Sequence, residues 1–200
     1  LEKAEALITD SHVVYTSDRH GKAYVNKDAV YPFTLATSNL CFELARDYFD
    51  DKVEAVIAPA VGGIILSKLV ANFITMLNSR EVHGVYAEKE TVVLHNSKHL
   101  KRMILVEAPY AWQIDELVKK EQHILVTMRE GAKIVLETGA FVIKRGYDKF
   151  ITGKRVLVVE DILTTGNTAK KVVEAVRKIG GEVIGVSALC NRGNVTAEQL

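Results

Sequence analysis

The sequence predicts an α/β fold built on a doubly wound, mainly parallel sheet, and three observations carry that prediction. Short apolar runs alternate with stretches of helical periodicity, the pattern of βαβ units. Val156 to Val159 form an unbroken aliphatic run, as a central parallel strand covered on both faces requires. At 200 residues the chain suits a single domain, residues 1–200, long enough to bury a substantial core.

Each element follows from local pattern. Leu40, Cys41, Leu44, Ala45 and Tyr48 fall at helical spacing and predict a helix over Thr34 to Phe49. Ala55 to Ala58 reads as a buried strand, Gly62 to Met76 as a strongly apolar helix, and Val82 to Ala87 as the next strand. Beyond the strand at Val156, residues Ala169, Val172, Val173, Val176 and Ile179 make one helix stripe, with Gly180-Gly181 in the usual stop position. Val183 to Leu189 closes the series of strands. From about 91 to 139 the rhythm breaks into a short run at Met103 to Val106, a stop at Pro109 and a helical pattern over Trp112 to Met128. This stretch predicts an inserted flap or subdomain. There is no internal repeat and no low-complexity segment.

Composition excludes several classes of function. Lys and Arg number 26 against 25 Asp and Glu, a net charge of +1, which argues against a general nucleic-acid partner and makes any basic character local. The two cysteines, Cys41 and Cys190, lie in apolar stretches without a partner at metal-ligand spacing and read as buried thiols of a reducing compartment. No segment approaches the roughly 18 uninterrupted apolar residues of a membrane span, and no secretory start is visible. The expectation is a cytoplasmic protein with no membrane partner. Six histidines are scattered without zinc-ligand spacing or a Ser-His-Asp arrangement. His12, His20, His83 and His123 read as structural or surface residues, while His95 and His99 fall in the flap.

The densest chemistry lies in Val156 to Thr168, VLVVEDILTTGNT. A buried strand runs into two carboxylates, Glu160 and Asp161, expected to emerge at its carboxyl end, where open α/β sheets place their ligands. The turn Thr164-Thr165-Gly166-Asn167-Thr168 then opens a helix whose free N–H groups and positive dipole end attract a phosphate, with the hydroxyls as further donors. Acids beside an anion site make sense if they grip sugar hydroxyls or the water shell of a metal. A second strand-turn-helix, Ala58-Pro59-Ala60-Val61-Gly62-Gly63, repeats the logic with small residues that let backbone amides approach an anion. By itself that loop is equally well explained by tight strand-to-helix packing.

The first motif resembles the phosphoribosyl pyrophosphate (PRPP) signature of type I phosphoribosyltransferases, and beside it Ala60, Val61, Gly62 and Gly63 resemble the family's pyrophosphate loop. Tyr86-Ala87-Glu88-Lys89-Glu90, at the end of the strand before the insert, is similar to the charged motif of the orotate branch. Lys89 stands for its pyrophosphate lysine, and Glu88 stands where many members have Arg. Further loop cations are Lys98, Lys101 and Arg102. Thr16 to Pro32, with Tyr24 and Lys27, resembles the segment that covers the base pocket in that branch. Phe141-Val142-Ile143-Lys144-Arg145-Gly146-Tyr147 matches a common form of it, and Asn191-Arg192-Gly193 stands where the branch has Asp-Arg. The Arg there meets a base carboxylate, which a guanidinium suits through its bidentate fork. Departures from the pattern are Asp18 for the usual Gly, Thr16 for a base-contacting Lys in some members, and Asn191 for Asp.

The resemblance covers roughly residues 10–90 and 140–195. It implies the type I phosphoribosyltransferase fold, with a small hood beside the sheet, and transfer of the phosphoribosyl group of PRPP to orotate with release of pyrophosphate. It also implies Mg2+, held mainly by substrate and water near Glu160 and Asp161, and a homodimer. In that scheme Lys89, Glu160 and Asp161 are catalytic, Thr164 to Thr168 hold the 5'-phosphate, and Tyr24, Lys27 and Arg192 meet the base. The alternatives are a transferase for another base, such as a purine, and a PRPP-binding regulator without turnover. A regulator predicts an attached DNA-binding module or a basic face, and neither is evident in the sequence.

Overall fold

A computed structural model describes residues 6–9, 11–14, 20–95 and 133–200, with backbone only for 92–95 and 133–138. The expected run at Met103 to Val106 and helix at Trp112 to Met128 lie outside the described residues, as do Thr16, Asp18, Lys98, His99, Lys101, Arg102 and His123. The chain divides into two compact units, Leu1–Ala87 with Ile143–Leu200, and Glu88–Val142.

The first unit opens with two short antiparallel pairings. Strand β1 (Leu7–Ile8) pairs with β4 (Tyr24–Val25), and β2 (Val13–Val14) pairs with β3 (His20–Gly21). A 3-10 turn, Lys27–Ala29, leads toward helix α1 (Thr34–Arg46). Next come β5 (Ala55–Pro59), α2 (Gly63–Asn78), β6 (His83–His95), β7 (Lys133–Val142), β8 (Arg155–Leu163), α3 (Asn167–Lys178) and β9 (Glu182–Asn191). In the main sheet of the first unit the strands run parallel, with β5 between β6 and β8, and β9 beyond β8. The fold class is as the sequence predicts.

Alternation along the strands explains why helices are needed on both faces. Val56, Ala58, Leu157 and Val159 join Cys41 and Leu44 of α1 and Leu66, Val70 and Ile74 of α2 in one core. The alternate residues Ala55, Ile57, Val156 and Val158 are equally inaccessible and belong to the opposite face. There α3 packs through its buried stripe of Ala169, Val172, Val173 and Val176. This stripe and the helix end match expectation. Gly180, at φ +83°, lets the Gly181 N–H return to the Val176 carbonyl at 3.0 Å.

Two boundaries differ from the sequence reading in ways that bear on the site. Strand β8 does not stop at Val159. Pairing with β9 continues through Glu160↔Ala188, Ile162↔Cys190 and Leu163↔Asn191, so both acids belong to the strand. Helix α1 ends at Arg46 rather than Phe49, and a 3-10 turn over Phe49–Asp51 takes the chain to Lys52 in the left-handed region.

The second unit holds the continuation of β6, paired antiparallel with β7 from Glu88↔Val142 to His95↔Lys133. The stretch read as an insert, 91–139, falls inside it. Lys89 was expected at a strand end, but β6 runs on to His95, and Lys89 is opposite Phe141 beside an irregularity in the register. Cross-strand hydrogen bonding to β7, invisible in the local pattern, extends the strand.

Candidate active site

The site is assembled at the carboxyl ends of β5 and β8. Glu160 and Asp161 are 5% and 8% exposed, far less than solvated strand-end acids would be. Local backbone groups occupy part of each carboxylate. The Asp161 N–H donates to Glu160 Oε1 at 3.1 Å, and the Ile162 N–H donates to Asp161 Oδ1 at 2.6 Å. The other Glu160 oxygen, Oε2, is buried without a hydrogen-bond partner among the described residues. A buried acceptor left open in this way is costly unless a ligand or water meets it. Burial, then the adjacent charge of Asp161, pushes the Glu160 carboxyl up to about 8.

Lys27 reaches this pair from the turn after β4. Its Nζ donates to Asp161 Oδ2, a part-buried ion pair across 134 positions of sequence. Burial works to lower the ammonium pKa, but the hydrogen bond and charge of Asp161, with Asp28 and Glu160 adding, hold it above the usual lysine range. The ion pair rests on Gly62, where a Cβ would lie 2.6 Å from Lys27 Nζ and 2.8 Å from Asp161 Oδ2. Gly62 itself has φ −59° and ψ −35°, so close approach, not backbone conformation, calls for glycine here. The Ala60-Val61-Gly62-Gly63 loop thus touches the acid motif through Lys27. Its path is fixed by the Ala60 N–H donating to the Ala87 carbonyl at 2.8 Å, and the Ala60–Val61 peptide is cis.

The turn after β8 places Thr164 and Thr165 exposed, Gly166 buried at φ +74°, and Asn167 and Thr168 as the first residues of α3. This arrangement presents the N–H groups of the helix's first turn beside hydroxyls, with the Asn167 N–H donating to Thr165 Oγ1 at 3.4 Å, a geometry suited to an anion. The carboxyl-terminal segment packs beneath it, since a Cβ on Gly166 would lie 2.8 Å from Val195 Cγ1 and 3.0 Å from Leu200 Cδ2. The loop after β9 is zipped to the same turn. Gly193 donates its N–H to the Leu163 carbonyl at 3.0 Å, and its Cα lies so tightly on the Thr164 carbonyl that no side chain fits. Arg192 then donates from Nη2 to Thr164 Oγ1 at 2.9 Å. Asn191 braces the loop by accepting from the Val195 N–H and donating to the Val195 carbonyl, each at 2.9 Å. An ionised Asp could make only the first of these bonds, which accounts for Asn at this position.

The structure therefore brings together Glu160, Asp161, Lys27 and Gly62, and separately Thr164 and Arg192 on the neighbouring strand ends. Tyr24 is on β4, three residues before Lys27, and Glu88 and Lys89 belong to the second unit. Tyr31 was not singled out by the sequence. Its hydroxyl is buried without a partner among the described residues, and burial, then the charges of Asp161, Asp28 and Glu160, raises its pKa. Only its place in the Thr16 to Pro32 segment could have marked it. Cys41 is the buried thiol expected, pushed up to about 11 by burial, which removes it as a nucleophile. His12 and His20 stack at the surface with ring centroids 4.8 Å apart. Among the described residues no group of three or more His, Cys, Asp or Glu could hold a metal ion, and no helix is long and apolar enough to cross a membrane.

Comparison with known proteins adds a family and a fold. The sequence model of the family described as "Phosphoribosyl transferase domain" matches residues 33–199. An orotate phosphoribosyltransferase of Pelotomaculum thermopropionicum is 31% identical over 193 residues, 96% of this chain and 73% of that protein. Another, from Caldanaerobacter subterraneus subsp. tengcongensis, is 28% identical over the same shares. Among solved structures, orotate phosphoribosyltransferase from Aeropyrum pernix matches with a TM-score of 0.53 at 18% identity, covering 99% of this chain and 82% of that one. Adenine phosphoribosyltransferase from Saccharomyces cerevisiae matches with a TM-score of 0.55 at 13% identity, covering 100% and 92%. Both structural likenesses concern the fold alone, and their different bases leave the choice of base to the site.

Proposed function

The chain belongs to the phosphoribosyl transferase domain family, and on that premise we propose that it is an orotate phosphoribosyltransferase, converting PRPP and orotate to orotidine 5'-monophosphate and pyrophosphate. The observation that carries the choice of base is the Arg192–Thr164 contact. It fixes a guanidinium, whose planar fork suits a carboxylate, one hydrogen bond from the turn assigned to the 5'-phosphate. A purine offers no carboxylate to that guanidinium.

Catalysis in this reading is electrostatic. Positive charge grows on the ribose and negative charge on the departing pyrophosphate, so groups fixed in advance stabilise the transition state without a covalent nucleophile. Glu160 Oε2, open and buried, accepts from a ribose hydroxyl, and Asp161 has lone pairs left for another. The amides of Gly166 to Thr168 and the hydroxyls of Thr164 and Thr165 anchor the 5'-phosphate. The Ala60–Gly63 loop receives pyrophosphate. Lys89 and Glu88 are assigned to the leaving group by their place in the charged motif alone.

Mg2+ suits these residues without a dedicated cage: a hard cation held mainly by pyrophosphate and its own waters would be met through that water shell by Asp161 beside Glu160. When bound, it supplies charge neutralisation to the pyrophosphate. We further propose a cytoplasmic location, and a homodimer, for which the exposed Leu35 and Phe42 on α1 and Met76 and Leu77 on α2 offer apolar surface. The test is a base panel with PRPP and Mg2+, following pyrophosphate release with orotate, uracil, adenine, hypoxanthine and guanine. Release with orotate alone is the expected result. Preference for a base without a carboxylate overturns the choice of base.

A further inference from the structure

The resemblance assigns Lys27 to the base, and the fold adds two contacts that this role does not account for. Its Nζ is hydrogen-bonded to Asp161 and lies against the Cα of Gly62. Resting on the assignment of Asp161 to the ribose and of Ala60–Gly63 to the pyrophosphate, this is the junction of two subsites. The scissile bond of PRPP, between ribose C1 and the pyrophosphate oxygen, spans that junction. We infer that Lys27 is a catalytic residue for the leaving group, an ammonium from the 3-10 turn after β4 that contacts the pyrophosphate oxygen at C1.

The chemistry suits the placement. The C1–O bond breaks with its electron pair on the pyrophosphate oxygen, the C1–N bond to the base forms, and the proton of the base nitrogen leaves with pyrophosphate. Charge therefore grows on the oxygen nearest the Asp161–Gly62 junction. An ammonium has three donors, and Asp161 takes one. Asp161 also fixes the ammonium before substrate arrives, so little reorganisation is needed as the charge develops. Gly62 keeps the approach open, because any side chain there would meet the ion pair.

The test uses the full chain with Lys27→Met, Lys27→Gln and Lys27→Arg, each checked for a native circular dichroism spectrum. Magnesium pyrophosphate is titrated calorimetrically without any base present, and steady-state constants for PRPP and orotate are measured in parallel. Removing the charge should weaken pyrophosphate binding by about tenfold or more, the scale of one hydrogen bond to a charged group. The turnover number should fall more than the PRPP Michaelis constant rises, and the orotate constant should stay within about twofold. Lys27→Arg should recover most of the pyrophosphate affinity. Unchanged pyrophosphate affinity in both neutral variants overturns the inference, as does a selective rise in the orotate constant, which returns Lys27 to the base pocket. A wild-type enzyme that rejects orotate but loses pyrophosphate affinity in Lys27→Met refutes the choice of base and leaves this inference standing.

Discussion

Arg192 and Thr164 meet through a 2.9 Å hydrogen bond because Leu163 and Asn191 are register partners at the ends of adjacent parallel strands. The residue proposed for the base and a residue of the turn proposed for the 5'-phosphate are thus one step beyond the same β-pairing. Arg192, exposed in the structure, would be covered by bound orotate, so Arg192→Ala should weaken use of orotate by about 2 kcal/mol, roughly thirtyfold, as for truncating one side of a charge pair desolvated on binding. Lys at this position should restore only part of the loss, since it lacks the planar fork. Steady-state kinetics at saturating PRPP check this, and unchanged orotate constants in Arg192→Ala remove Arg192 from the base site.

Asp161→Asn keeps side-chain size but removes the charge facing Lys27. Turnover should fall by about a hundredfold or more, the usual loss for one preorganised electrostatic contact. Circular dichroism and a thermal melt distinguish this from unfolding. Near-wild-type turnover at saturating PRPP would refute a transition-state role for Asp161.

Gly62→Ala probes crowding alone, because Gly62 already has helical backbone angles that alanine adopts freely. The added Cβ would displace Lys27 and Asp161 from each other. Lys27 Nζ and Asp161 Oδ2 are both side-chain ends that can shift, so a melting temperature lowered only slightly with a larger loss of activity is expected. The same substitution in a Lys27→Ala background should be milder, since the flexible end of Lys27 is then gone. An equal penalty in both backgrounds would show that the ion pair does not explain the glycine.

The raised Glu160 pKa gives stability a sign with pH. Unfolded glutamate titrates near about 4.3, whereas the folded group is pushed up to about 8. Between those values the native state binds more protons, so stability falls as pH rises, and the cost is complete above the folded value. Glu160→Gln should therefore be more stable than wild type at pH 7 and should flatten the decline. Denaturant melts across pH 5–9 test this, and parallel curves for the two proteins would refute it.

The sequence by itself determined the fold class, the buried strands and the α3 stripe with its glycine stop, which depend on local periodicity and short-range turn chemistry. The PRPP reading of Val156 to Thr168 came from resemblance to a family. Burial of β5 and β8 on both faces appears as continuous aliphatic runs because each position must meet an apolar neighbour.

Only the tertiary structure decided how far β8 and β6 extend, since their final residues are held by cross-strand hydrogen bonds rather than by apolar pattern. It also decided the partner of Lys27. Nothing near Lys27 in the chain points to Asp161, because an ion pair across 134 positions arises from the packing of the Lys27–Ala29 turn on the strand end. The same is true of Gly62, whose reason for being glycine is a contact with two side chains from distant segments. Tyr31 and the open oxygen of Glu160 became visible for the same cause. Burial of a polar atom without a partner is a property of the assembled fold, and no spacing in the sequence encodes it.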